Sequence, residues 1–201
     1  MNIIANDCVT GYIYKNHLKC QNQNPFIWSS IDLNNFCALI ENYNKINFYN
    51  IKCDLVLNNS GICKQGSLTP KIVIDDLIEV NYFHYIYDTS YISPSKIGPY
   101  TMYNGIIAYT VNAYKQRLDR MTEEPMFVWD VTKILWYNKQ KESPFERFKL
   151  LKTDFKIIIY QPNIENGIKN NIILLNKVNG CFEVDASAKH IFQDLEKLNL
   201  I

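Results

Sequence analysis

Short apolar runs rich in β-branched and aromatic residues alternate with segments of helical periodicity along most of this chain. The first unit is a run over residues 2–6 that meets Asp7 and Cys8, after which Val9 and Ile13 recur at helical spacing. Strands that alternate with helices favour a mixed, mostly parallel sheet covered on both faces. The pattern therefore predicts a three-layer α/β sandwich that forms a single domain over residues 1–201.

The remaining segments are assigned from the same periodicities and from turn residues. A helix should begin at Ser30 or Asp32, since either side chain is a good N-cap. A tyrosine-rich loop is expected over residues 88–103 and should border a site. Strands are predicted over 51–57, 71–74, 80–87, 126–131, 155–160, 172–175 and 181–184, a short extended segment over 26–28, and further helices over 106–121, 144–151 and 186–198.

Composition and charge exclude several classes of protein. Hydrophobic residues make up 47% of the 201 residues and charged residues 20%, which is typical of soluble globular proteins. The 21 basic residues balance 20 acidic ones and form no block, so we expect no nucleic-acid partner. Neither a leader nor a run of ~20 apolar residues is present, which predicts a cytoplasmic protein without a transmembrane segment. The sequence does not determine the oligomeric state.

The cysteines and histidines lack the spacing of a metal site. None of the six cysteines forms a Cys-x-x-Cys pair, and the three histidines are scattered singly. Without a secretion signal, reduced thiols are expected. We therefore predict no metal and no cofactor. Glycine-rich phosphate loops, Gly-x-Ser-x-Gly elbows and His-Glu-x-x-His helices are also absent from the sequence.

The end of the first predicted strand is the main candidate for chemistry. Ligands of open α/β sheets bind beyond the carboxyl ends of the strands, where Asn6 and Cys8 are expected to lie. A cysteine that enters a helix is close to free backbone N–H groups, which favour the thiolate. The alternative is that Cys8 is simply a small buried residue, as cysteine often is.

A cysteine nucleophile needs a base and a group that orients the base. His84 is the best available base, although the aromatic strand around it also fits a buried core histidine. Asp130 follows the apolar run over 126–129 and could orient an imidazole, or equally cap the next helix. Arg117 and Arg120 could clamp an anionic group, or be solvated helix charges.

The opening segment from Ile4 to Tyr14 resembles a bacterial family of unknown function that is related to exopolysaccharide biosynthesis. The features in common are a strand, then Asn-x-Cys, then Gly-x-Ile-Tyr. The segment Pro25 to Trp28 and the two arginines are more loosely similar to a family of proposed papain-like cysteine peptidases. Ile27 and Tyr85 replace two aspartates of that family, so the resemblance is incomplete at these positions.

The resemblance implies a three-layer α/β fold and a place in surface-polysaccharide assembly. Combined with the residues, it leads to the hypothesis of a cysteine-dependent acyltransferase or hydrolase that acts on a polysaccharide precursor or another small molecule. Two alternatives stay open, a glycosyltransferase-like protein whose arginines hold a sugar-nucleotide diphosphate, and a non-catalytic scaffold. The predicted catalytic residues are Cys8, His84 and Asp130, and the predicted substrate contacts are Asn6, Trp28, Arg117 and Arg120.

Overall fold

A computed structural model describes residues 2–19, 24–57, 68–82, 99–121, 123–130, 144–162, 165–177 and 184–201. The strands in these ranges are β1 (Asn2–Ala5), β2 (Ser29–Ser30), β3 (Ile51–Leu57), β4 (Leu68–Ile74), β5 (Ile78–Tyr82), β6 (Pro125–Asp130), β7 (Ile157–Gln161), β8 (Gly167–Lys169) and β9 (Ile172–Asn176). The helices are α1 (Val9–Tyr12), which continues as a π-helical turn (Ile13–His17), α2 (Leu33–Asn42), α3 (Pro99–Leu118), α4 (Pro144–Phe148) and α5 (Val184–Lys197). None of the helices described is long and apolar enough to cross a membrane.

Five strands form sheet A, in the order β1-β6-β7-β9-β8. The first four are parallel, and β8 pairs with β9 in the antiparallel sense at one edge. The prediction of an α/β fold with a mixed, mostly parallel sheet is therefore confirmed.

The inner strands of sheet A are buried on both faces. Every residue of β6 and β7 is buried, which explains why these segments are continuous apolar runs rather than alternating ones. Alternate side chains enter two separate cores. Phe127 and Ile157 belong to a core shared with α2 and sheet B, whereas Val128 and Ile158 belong to one shared with α1 and α5.

Four strands form a second sheet, sheet B, in the order β2-β5-β4-β3. All of its pairs are antiparallel. The turn from β4 to β5 contains Asp75 and Asp76, both in the left-handed region with φ of 52° and 54°. Two such residues allow a tight hairpin, and a hairpin makes the two strands antiparallel. The sequence predicts β3, β4 and β5 individually, but it predicts neither β2 nor the separation of these strands into a second sheet.

Most of the predicted helices and strands are present with shifted ends, and Asp32 is the N-cap of α2, with its side chain accepting a bond from Asn35 N. Three local predictions are wrong. Pro25–Trp28 is a turn rather than an extended segment, α3 starts inside the predicted loop, and Val184 starts a helix rather than ending a strand. The other residues of that loop and strand, 88–98 and 181–183, lie outside the described residues.

The turn at residues 25–28 has a clear cause. The buried side chain of Asn24 accepts a hydrogen bond from Phe26 N at 2.9 Å, and the hydroxyl of Ser29 donates to Phe26 O at 2.6 Å. Side chains of this type compete with extended backbone for hydrogen bonds. Trp28 completes the turn in the left-handed region, with φ 64°.

Candidate functional site

The carboxyl ends of the four parallel strands meet at one edge of sheet A, which we call the carboxyl edge. The strands end at Ala5, Asp130, Gln161 and Asn176. Ligand sites of α/β proteins occur at this edge, because loops and helix amino termini converge there. The residues that the sequence analysis selected at Asn6, Cys8 and Asp130 all follow or end one of these strands.

Asn6, the residue after β1, joins β1 to β6 at the carboxyl edge. Its Nδ2 donates to Asp130 O at 2.9 Å, and its Oδ1 accepts from Asp130 N at 2.7 Å. Its backbone carbonyl accepts from Ile31 N at 2.8 Å. Asn6 was predicted to contact substrate, but its amide is engaged with the backbone of β6. It therefore positions the turn that carries Cys8.

Cys8 lies immediately before the first residue of α1 and is 8% exposed. Its Sγ lies 4.0 Å from Ser29 O, a weak contact that orients the thiol toward β2. The neighbouring Asp7 accepts a hydrogen bond from Val9 N at 2.9 Å through Oδ1. The helix end therefore presents a thiol and a carboxylate side by side. The sequence places Asp7 with Asn6 and Cys8 at the end of the first predicted strand, but no role was predicted for it.

Asp130 forms a buried ion pair with Lys177. Lys177 Nζ lies 2.7 Å from Asp130 Oδ1, and both side chains are 0% exposed. The same Nζ lies 5.5 Å from the centroid of the Tyr160 ring. Because a charge without a partner is very costly in a protein interior, each member of the pair depends on the other. The structure thus gives the Asp130 carboxylate a lysine partner that the sequence analysis missed.

The ion pair lies on the same face of sheet A as Cys8. Along β6, Met126 and Val128 enter the core shared with α1 and α5, and Asp130 continues this alternation. Lys177 likewise follows Ile173 and Leu175, which enter the same core. Cys8 begins α1, the helix that covers this face. The structure therefore brings Cys8, Asp130 and Lys177 to one face of the carboxyl edge.

Trp28 packs against the first turn of α1. Its indole ring makes an edge-on contact with Tyr12, with the ring centroids 5.1 Å apart. A Cβ added at Gly11 would lie 2.2 Å from Trp28 Cδ2, so the indole lies directly on the glycine. Trp28 was predicted to contact substrate. The structure places it at the last residue of the turn over 25–28 and beside the helix that Cys8 begins.

Replacement of Gly11 by alanine should therefore destabilise the protein. The new methyl group overlaps the indole, and the ring or the helix must move, at a cost of about 1–3 kcal/mol in the free energy of unfolding. Urea denaturation followed by circular dichroism measures this cost. Gly105→Ala is the matched control, since a Cβ at that helical glycine meets no atom within 4 Å. An equal loss in both variants would contradict the proposed packing of Trp28.

Arg117 and Arg120 lie toward the opposite edge of sheet A. Glu123, three residues after Arg120, accepts a bond through its backbone oxygen from Asn2 Nδ2, at the first residue of β1. Met121 accepts a weak bond from Tyr43 OH at 3.8 Å. The six residues of β6 then span ~17 Å before Asp130. The structure does not bring the arginines to the edge that carries Cys8.

The predicted base His84 lies outside the described residues, as do three of the six cysteines. Of the cysteines described, Cys37 is buried and Cys53 is partly exposed. Burial and the nearby Asp54 raise the pKa of the Cys53 thiol to about 11. Within the described ranges, no group of three histidine, cysteine or acidic side chains is placed to hold a metal ion.

The fold and the site define a class of protein, a mixed α/β domain with a cysteine and a buried lysine–aspartate pair at the carboxyl edge of a parallel sheet. The chain matches no protein-family model and has no significant match among curated proteins. The resemblance of its opening segment to a polysaccharide-related family therefore stays a prediction.

Proposed function

We propose that the protein is a cysteine-dependent acyltransferase or hydrolase with Cys8 as its nucleophile. The observation that carries the proposal is the position of Cys8 at the amino end of α1, on the face and edge of sheet A that also carry the buried pair of Asp130 and Lys177. Backbone N–H groups at a helix start favour a thiolate and the oxyanion of an acyl intermediate. The Val9 N–H is not one of these groups, because it is bonded to Asp7 Oδ1.

The reaction would follow the usual course of acyl transfer. The Cys8 thiol gives up its proton, its sulfur adds to the carbonyl carbon of an acyl donor, and the leaving group departs with that proton as a thioester forms. Water or an acceptor hydroxyl then adds to the thioester, loses its proton and takes the acyl group, which restores the thiol. A polysaccharide precursor as substrate and a cytoplasmic location are parts of the proposal that depend on the sequence analysis.

The alternative of a sugar-nucleotide-binding protein depends on Arg117 and Arg120. Both lie on or just after the last turn of α3, and Arg120 is exposed. Their distance from the carboxyl edge separates the two hypotheses, since each predicts a different site. Stabilisation by nucleotide sugars that is lost on replacement of Arg117 would favour the alternative.

Acylation by a small activated ester tests the proposal. Incubation with p-nitrophenyl acetate should acetylate Cys8, and neutral hydroxylamine should remove the acetyl group because thioesters react with it. Peptide mass spectrometry locates the adduct. Cys8→Ser should lower the yield of labile adduct at least tenfold, whereas Cys53→Ser should leave it unchanged. A hydroxylamine-sensitive adduct that survives in Cys8→Ser would assign the reaction to another residue.

A further inference from the structure

The carboxyl edge also carries two buried polar atoms on the face of sheet A opposite to the ion pair. Among the residues that the structure describes, neither Nε1 of Trp129 nor Oε1 of Gln161 has a hydrogen-bond partner. Both residues are almost fully buried, with exposures of 3% and 4%. Buried polar groups are nearly always hydrogen-bonded, so two such atoms at one strand edge need an explanation.

The strand register places these two side chains as neighbours. Trp129 of β6 is opposite Ile159 of β7, and Gln161 follows two residues later on the same face. Ile159 and Trp129 both belong to the core shared with α2 and sheet B. The indole N–H is a donor only, and the amide oxygen is an acceptor only. The pair thus offers one donor and one acceptor on adjacent strands.

A third buried polar atom without a described partner belongs to α4. It is Nε of Arg147, the residue before Phe148, whose ring centroid lies 5.6 Å from that of Trp129. An Arg Nε is a donor. The helix that packs on Trp129 therefore adds a second donor next to the aromatic cluster.

We propose that Trp129 and Gln161 form a binding subsite for a ligand group that has an acceptor and a donor side by side. An alcohol hydroxyl and a primary carboxamide both have this chemistry. Such a group accepts from the indole N–H and donates to the amide oxygen, which satisfies both atoms at once. Without it, each atom has lost its water and gained no partner among the residues that the structure describes. A leucine in place of Gln161 would fill a similar volume with no such loss.

The subsite is independent of Cys8 chemistry, so it is tested in the Cys8→Ser protein as well as in the unmodified chain. The protein contains three tryptophans, so a ¹⁵N spectrum should show three indole N–H signals, which Trp→Phe replacement would assign. D-Glucose is the hydroxyl probe and acetamide the carboxamide probe. We expect one of them to shift the Trp129 signal, and the probe that does so identifies the ligand group.

Gln161→Leu is the decisive variant, and Gln116→Leu, the same change at an exposed position of α3, is its control. We expect Gln161→Leu to weaken the response to the probe about tenfold or more and to leave Tm unchanged or raise it by about 2–4 °C, because an unsatisfied group is removed. Gln116→Leu should respond like the unmodified protein. If neither probe shifts the Trp129 signal, if Gln161→Leu responds normally, or if it lowers Tm, the proposal is overturned.

Discussion

Replacement of Lys177 by methionine should destabilise the protein by about 3–5 kcal/mol. Methionine has nearly the length of lysine without its charge, so the main change is that the buried Asp130 carboxylate loses its ion pair with Lys177. Urea denaturation measures the change in the free energy of unfolding. The double variant Lys177→Met/Asp130→Asn removes both charges. It should recover most of the lost free energy of unfolding, since a buried pair can often be replaced by neutral groups of similar shape.

The exposed pair of Lys52 and Asp76 provides the matched control. Their side chains are 69% and 62% exposed, and exposed ion pairs contribute only about 0–1 kcal/mol. Lys52→Met should therefore change the free energy of unfolding little. A cost for Lys177→Met that is no greater than that for Lys52→Met would contradict the burial of the pair, and with it the geometry of the carboxyl edge.

Replacement of Phe36 by alanine should destabilise the protein to a similar extent. Phe36 lies on α2, and its ring is fully buried. The ring makes edge-on contacts with the rings of Phe127, Trp129 and Phe148, at centroid distances of 5.8, 5.4 and 6.1 Å. Loss of a buried phenylalanine typically costs about 3–5 kcal/mol, because a cavity remains. α2 joins sheet A to sheet B through this core, so both sheets should unfold in one transition.

Tyr109→Ala is the control for aromatic truncation, since Tyr109 is 62% exposed on α3. Its replacement should change the free energy of unfolding by no more than about 0.5 kcal/mol. A small effect of Phe36→Ala, comparable with that of Tyr109→Ala, would mean that the aromatic cluster does not hold the two sheets together.

Local patterns were sufficient to predict the four parallel strands of sheet A, although not the edge strand β8. Its central strands are buried on both faces, and the continuous apolar runs in β6 and β7 are typical of that environment. The start of α2 also follows from a local signal, because Asp32 caps it. The start of α3 was missed. Pro99 is a favourable first helical residue, but the surrounding tyrosines and prolines were interpreted as a loop.

The sequence predicted those residues of the candidate site that can be recognised one at a time, from their position along the chain. Cys8 and Asp130 were selected because each lies at the end of a predicted strand. Lys177 lies 47 residues from its partner Asp130, and no local pattern pairs residues at that separation. Sheet B was missed for the same reason, since the pairing of strands depends on long-range contacts. The two arginines were selected because they lie three residues apart on a predicted helix. That spacing does not indicate which edge of sheet A the end of the helix approaches.

The central claim is that Cys8 is an activated thiol, and its alkylation rate tests this most directly. Iodoacetamide is added to the folded protein over a range of pH, and peptide mass spectrometry follows each cysteine, with Cys8→Ser as the identity control. Cys53 is the internal reference, because it is more exposed than Cys8 and burial and Asp54 raise its pKa to about 11. We expect Cys8 to react faster than Cys53 near pH 7, and the rate of Cys53 to rise only as the pH approaches 11. If Cys8 reacts no faster than Cys53, Cys8 is not an activated nucleophile.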